Sequence, residues 1–465
     1  MFVTEKVMKK RKVIISVVSV LVIILVWFGT VAALNDKKDV MNQAELVRKA
    51  NEFRDKGLYV RSYPLYEEAL SINTENNRQV MEELLSAYYS DGRYGDYTIY
   101  IDNLPMTGDK PSPDNYVKYA TILNRQGDVT KSIEKAFEGL AEYPEYTPLE
   151  DFILEYRYSF YVYKVEATEA GNFVNKSLDI PVINTNGEWE FCSADGYLSY
   201  DTGYEAIREY SAKGFCPVKK DGQWIIIDSR SNKYAIDETG VDDVFATDEE
   251  YIVAEKDGKM GYYDIDFNLI GDQTIHDELS LASNDYVIAA RDGTKWMILN
   301  TAFERVNDTD YEDIAINYSH FPSEGGAMML KENGKWYLCD ITGKHISEEG
   351  FADAKAPEEA GALIAVANEE GRWGFIDTTG KLVIDYKYED AQSFSCGLGA
   401  VMEYDEWDYI DSSDTVRIKL GVEELRPFHD GVAVAKNGGK ILIINLYFTE
   451  KDIEDAKAGA KNEDV

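Results

Sequence analysis

Apolar residues fall into three successive patterns along the chain. Val13 to Leu34 is an unbroken run without a charge. As a helix rising ~1.5 Å per residue it would reach about 33 Å, enough for a hydrocarbon core of roughly 30 Å. From residue 40 to 165 the apolar positions take helical spacing, with Ala44, Val47, Ala50 and Phe53 on one face and Leu65, Tyr66, Ala69 and Leu70 on the next. The turn Lys56-Gly57-Leu58-Tyr59 divides these helices, and its glycine returns after two equal steps at Gly92 and Gly127. Glycine suits the turn because it accepts positive φ, and the small Ala69 lets helices approach.

Residues 175–448 carry short apolar runs, such as Val287-Ile-Ala-Ala, Ala362-Leu-Ile-Ala-Val and Val432-Ala-Val-Ala, each followed by a turn and a second run. Equivalent anchor positions are Trp189, Trp224, Met260, Trp296, Trp336, Trp373, Trp407 and Ile441, at nearly equal steps of which Trp296 to Trp336 is the longest. Asp-Gly, Asn-Gly or Gly-Gly stands just before most anchors, which predicts type I′ hairpins because both central residues need positive φ. Each copy supplies three or four short strands, too few to cover both faces of a sheet, so neighbouring copies must stack. Stacking in a ring gives a β-propeller of seven or eight blades, and stacking in a line gives a β-solenoid. Closure protects sheet edges and favours the ring. The last copy stops after Ile441-Leu-Ile-Ile-Asn, so a strand from elsewhere would complete it.

Two resemblances follow from these residues. The helical copies, with Gly57, Tyr59, Tyr66 and Ala69 and a later Pro144, resemble tetratricopeptide repeats, although Pro105, Pro111 and Pro113 open a loop between the second and third. Gly371 to Val401 resembles the WG (KWG) repeat almost throughout: Arg372-Trp373-Gly374-Phe375-Ile376-Asp377, Gly380-Lys381-Leu382-Val383, then Tyr388, Phe394 and Gly397-Leu398-Gly399-Ala400. The copies at Met260 and Trp336 match in part. The first resemblance implies a concave surface for a peptide or helix, or else a mere spacer. The second implies a scaffold without a shared catalytic residue, common in bacteria and often membrane-anchored.

Charge places the parts. Residues 1–12 carry five bases and one acid, so this tail is expected to stay cytoplasmic, with everything after Leu34 outside. A cleaved secretory signal ending at Val31-Ala32-Ala33 is the competing reading, although its apolar region is usually ~7–15 residues. The chain holds 85 acids against 48 bases, a formal net of −37, which disfavours nucleic acid as a partner. Cys192, Cys216, Cys339 and Cys396 are too scattered for a zinc framework and read as small core residues, with one disulfide open to them in an oxidising compartment.

Candidate chemistry is sparse. His276, His320, His345 and His429 fall in four copies without metal-ligand spacing, and no nucleophile elbow or phosphate loop is present. Asp264-Ile-Asp-Phe-Asn imitates half an EF-hand loop, but Leu269 stands where glycine is required, so Asp264 reads as a turn residue like Asp228, Asp340 and Asp377. The pairs Glu249-Glu250, Glu358-Glu359 and Glu369-Glu370 read as solvated loop charge, and the repeat tryptophans as packing residues rather than a sugar platform.

The expected fold is therefore multidomain: a cytoplasmic tail (1–12), a transmembrane helix (13–34), α-helical tetratricopeptide-like repeats (40–165), an all-β WG-repeat domain (175–448) and a polar tail (449–465). The expected role is a membrane-anchored, extracytoplasmic, non-enzymatic binding or scaffolding protein for protein, peptide or envelope-polymer partners. It needs no cofactor, metal or catalytic residue. The alternatives are a cell-envelope hydrolase with carboxylates in a propeller channel, and a sensor module.

Overall fold

A computed structural model describes residues 36–104, 110–199, 202–229, 233–234, 240–247, 251–271 and 275–448. The predicted transmembrane run Val13 to Leu34 and both tails lie outside these residues, and no described helix is long and apolar enough to cross a membrane. The chain divides into two units between Ile153 and Leu154.

The first unit is helical: α1 (36–54), α2 (Tyr59–Ser71), α3 (Asn77–Ser90), α4 (Tyr94–Asn103), α5 (Pro113–Arg125), α6 (Val129–Glu142) and α7 (Thr147–Tyr156). The three glycine turns join α1 to α2, α3 to α4 and α5 to α6. Gly57, Gly92 and Gly127 hold φ of 71°, 73° and 86°. In each turn the next residue's N–H reaches back five residues, Leu58 to Phe53, Arg93 to Tyr88 and Asp128 to Leu123, which closes a Schellman cap and satisfies carbonyls the helix leaves free. Tyr66, Ala69, Leu84, Leu85, Ala87 and Tyr97 are buried in a core shared by the first two pairs.

Among the described residues, the second unit holds eight antiparallel sheets of three or four strands. Seven are sequential, spanning residues 167–199, 206–234, 243–264, 278–300, 313–340, 353–388 and 390–422. The eighth combines residues 424–446 with Phe160–Val165, which pairs along Lys440–Leu446 from Phe160↔Leu446 to Val165↔Ile441. This is the completing strand expected from elsewhere. It corrects the helical boundary at 165 and the β start at 175, because helix ends at Tyr156 and residues 160–170 already belong to sheets.

Among the described residues, eight apolar cores lie between neighbouring sheets, and the series closes: Val165, Ile441 and Ile443 of the eighth sheet pack with Ala167, Ile180 and Cys192 of the first. The eight anchors occupy eight different cores. Trp189 lies between sheets one and two, Trp224 between two and three, Met260 between three and four, and Trp296 between four and five. Trp336 follows between five and six, Trp373 between six and seven, Trp407 between seven and eight, and Ile441 between eight and one. Cys192, Cys216 and Cys339 are buried in these cores and Cys396 sits in a turn; no disulfide joins any of the four.

Turn chemistry repeats with the sheets. Asp264, Asn300, Asp340, Asp377 and Asp411 each accept two backbone N–H groups, two and four residues on, through one side-chain oxygen. This use of Asp264 fits a turn, and no group of three or more metal-ligating side chains occurs among the described residues. At the other end of the sheets, acids of several return segments cap hairpin turns: Glu205 accepts from Gly222 N at 3.0 Å, Asp242 from Asp257 N at 2.7 Å, Glu312 from Gly334 N at 2.9 Å and Glu389 from Asp405 N at 3.1 Å.

The hairpins before Trp224, Met260, Trp336 and Ile441 have two consecutive positive-φ residues, as Asp221-Gly222 (51°, 77°) illustrates. Before Trp189 and Trp373 the expected type I′ turn is replaced by a five-residue loop in which Asn184 or Asn368 accepts two N–H groups and a single glycine takes positive φ. Before Trp407, Tyr404 and Asp405 hold φ of 57° and 63° without a glycine or asparagine to ease it, and Tyr404 is 81% exposed. Replacing the pair by Tyr404→Asn with Asp405→Gly should stabilise the β unit by about 1 kcal/mol, since non-glycine residues are strained there. A thermal melt should then move up by roughly 2–4 °C; an unchanged or lower Tm would refute the strain assignment.

Candidate functional site

The widest anchor spacing, from Trp296 to Trp336, marks the place where one copy departs from the rest. The extra residues lie in the connection between the first two strands of the fifth sheet, residues 315–326, while the equivalent connection in the seventh sheet is only 392–397. Asn317 shapes the longer loop: its Oδ1 accepts from Ser319 N at 3.0 Å and Phe321 N at 2.9 Å, and His320 takes a left-handed φ of 65°. A residue held there against its preference marks a position that its surroundings over-determine.

The loop reaches sheets on both sides of its own. Toward the sixth sheet, Asn317 Nδ2 donates to Pro357 O at 3.1 Å, and Tyr318 N points at the Glu358 carboxyl at 3.3 Å. Toward the fourth, Leu281 N donates to His320 O at 3.0 Å. The His320 ring stands edge-on to Phe245 of the third sheet, with centroids 5.0 Å apart. The Tyr318 phenol feels Asp390 of the seventh sheet and Arg426 and Glu424 of the eighth, while Glu209, beyond the second sheet's first strand, acts on His320. A cavity of about 80 Å³ between this loop and segments of the first four sheets is lined by Asn172, Glu209, Tyr210, Thr247, Leu281 and residues 318–321.

Acids at this end tie successive connections together. Asp285 accepts from Gly326 N at 2.9 Å, Glu209 from Asn172 N at 3.3 Å, Asp430 from Lys176 N at 3.0 Å, and Glu359 from Cys396 N. Glu358-Glu359 is thus no solvated pair, which corrects the sequence reading: the Glu358 side chain is 4% exposed. Glu369 does bridge Lys335 on the surface at 2.8 Å, and Glu249-Glu250 lies outside the described residues.

Burial sets the protonation of this cluster. It pushes the Glu358 carboxyl up to about 8, opposed by the Tyr318 N–H and reinforced by Glu324. It pushes the His429 imidazole down to about 4. Their closest atoms are 3.8 Å apart, beyond hydrogen-bond range, and His429 Nε2 has no hydrogen-bond partner among the described residues. Both groups are therefore neutral at pH 7. His276 and His345 lie elsewhere, the first 3.0 Å from Asp292 and the second stacked on Tyr337. Sequence reasoning named His320, Glu358 and His429 without joining them in a site and missed Tyr318; the long spacing was the signal that pointed to the loop of Tyr318 and His320.

A second concavity of about 520 Å³ lies in the helical unit, between α2, α3 and α4. Leu70, Met81, Tyr88, Ile99 and Leu104 supply its apolar wall, with Arg78 and Asp96 at hand.

The cluster predicts a pH dependence of stability. Glu358 binds its proton more tightly folded than unfolded, so its contribution is lost as pH rises from about 4.5 to 8. His429 binds its proton more weakly folded, so stability is lost as pH falls from 6.5 to about 4. The two slopes cancel between pH 4.5 and 6.5. Above 6.5 only Glu358 remains, costing about 2 kcal/mol by pH 8. Chemical denaturation at a series of pH values should show that fall in the wild type and not in Glu358→Gln, which keeps the acceptor for Tyr318 N. An equal fall in both would refute the assignment.

The model of the WG containing repeat matches residues 373–407 and 409–440, which cover most of the sixth to eighth sheets. No curated protein matches the chain. Among solved structures it is similar to the WD40 domain of SCAP from fission yeast, at 9% identity and a TM-score of 0.35, covering 62% of this chain and 98% of that one. It is also similar to the AfRom2 CNH domain, at 8% identity and a TM-score of 0.31, covering 53% and 94%. The chain carries WG-containing repeats over residues 373–440.

Proposed function

We propose that the chain is a membrane-anchored, extracytoplasmic binding and scaffolding protein whose β unit is an eight-bladed propeller. It engages protein, peptide or envelope-polymer partners at the end of the ring where the first inter-strand loops meet, and its tetratricopeptide-like neck offers a second groove. The ring is supported by eight shared cores that close on themselves and by the pairing of Phe160–Val165 with Lys440–Leu446, which a linear solenoid would not make. The anchor is supported by the uncharged run Val13 to Leu34 behind a basic flank.

The observation that carries binding over hydrolysis is the use made of the carboxylates. A glycosidase-like site needs a proton-donating acid open to substrate and a second carboxylate ~5–10 Å away. Glu358 has the raised pKa of such an acid, but its side chain is sealed and accepts from a neighbouring loop. Asp285, Glu209, Asp430 and Glu359 are likewise held on backbone N–H groups of adjoining connections.

Two measurements on cells expressing the full chain test this reading. Protease added outside intact cells should degrade the β unit; a shielded unit would overturn the exported placement. A photo-crosslinking residue at exposed Tyr286, in the fourth sheet's first inter-strand loop, should yield a discrete adduct. The same residue at exposed Tyr404, in a hairpin at the opposite end, should not. Identical adducts from both positions, or none from either, would refute binding at the loop end.

A further inference from the structure

The cavity beside the long loop has a composition that selects a ligand. His320 Nε2 is shielded from solvent and has no hydrogen-bond partner among the described residues. Burial lowers the imidazole's affinity for a proton, so the ring is neutral at pH 7 and one nitrogen carries a lone pair. Glu209 lies in the same wall, with Oε1 accepting from Asn172 N at 3.3 Å and Oε2 making no hydrogen bond among the described residues. Tyr210, Leu281 and Phe321 complete an apolar lining. The site thus joins one carboxylate, one unpaired polar nitrogen and an apolar wall, with no cationic side chain among its lining residues.

Size and field narrow the choice further. The cavity of about 80 Å³ is small, and an unbranched alkyl chain is the slimmest group that can carry a charge into it. The formal net charge of −37 repels anions and draws cations toward any carboxylate-bearing recess. A carboxylate beside aromatic faces is the setting in which an ammonium is held by a charge-assisted bond and by ring quadrupoles together.

We infer that this cavity binds the primary ammonium end of an alkyl chain, either a free alkylamine or a lysine side chain of the partner. The ammonium donates to Glu209 Oε2 and to His320 Nε2, with the imidazole proton on Nδ1, and the methylenes lie along Phe321 and Tyr210. This deepens the binding reading and rests on it, since it names what the loop end of the ring recognises.

The full-length chain in detergent, titrated calorimetrically with n-butylammonium, tests the inference. One saturable site per chain is expected, with n-butanol about tenfold weaker or worse because it lacks the charge. Glu209→Gln keeps the acceptor for Asn172 N and should weaken the amine about tenfold or more, leaving n-butanol unchanged. His320→Asn is the second variant, since asparagine tolerates the left-handed φ and removes only the imidazole; it too should weaken the amine. Amine and alcohol binding equally, no binding of either, or a Glu209→Gln variant as tight as wild type would overturn the inference. Saturation by Nα-acetyl-lysine methylamide at similar affinity assigns the site to a partner's lysine, and saturation by n-butylammonium alone assigns it to a free amine. Crosslinking from Tyr286 in wild-type cells separates the two claims: an adduct formed by a chain that binds no amine leaves the scaffold reading standing and the ammonium site refuted.

Discussion

The pairing of Phe160–Val165 with Lys440–Leu446 is the contact on which the β unit depends. Each sheet is too small to cover its own faces, so its stability is borrowed from neighbours on both sides. In an open row the two terminal sheets would each expose an apolar face and an unpaired edge. Here Val165, Ile441 and Ile443 pack with Ala167, Ile180 and Cys192, so the row has no ends. The anchor tryptophans are effective because of this closure: Trp224, Trp296, Trp336, Trp373 and Trp407 are all buried between two sheets.

Much of this was legible in the sequence, for a physical reason. Features that repeat are specified by local chemistry, and local chemistry is written in adjacent residues. Gly57, Gly92 and Gly127 predict helix-to-helix turns because only positive φ ends the first helix so sharply, and the folded turns have it. The eight anchors predict eight equivalent packing positions, and eight cores hold them. Two kinds of feature were hidden. Phe160–Val165 follows directly on a helical repeat and stands outside the register, and its partner lies at the far end of the β unit, a separation that no local pattern encodes. The Glu358 pair looked like surface charge because a sequence shows the charge and not the loop that buries it.

The acids illustrate how one composition supports several structural uses. At one end of the sheets Glu205, Asp242, Glu312 and Glu389 cap hairpins; at the other Asp285, Glu209, Asp430 and Glu359 fasten one sheet's loop to the next. A third set closes the tight loops after the anchor strands, as Asp377 does for Thr379 and Lys381. Carboxylates serve well in all three places because each oxygen accepts more than one N–H and needs no partner side chain. The excess of 85 acids over 48 bases therefore includes a repeating set of backbone-satisfying groups as well as a surface field.

The closing strand also sets a timetable. Chains emerge from the N-terminus, so Phe160–Val165 is made early and must wait for Lys440–Leu446. At synthesis rates of ~5–20 residues per second that wait is on the order of tens of seconds. Throughout it, the eighth sheet does not exist, and the first sheet has one neighbour instead of two. Assembly of the eighth sheet is thereby tied to completion of the polypeptide: a message truncated anywhere before Lys440 yields a chain with an apolar face exposed, recognisable to proteases as unfinished.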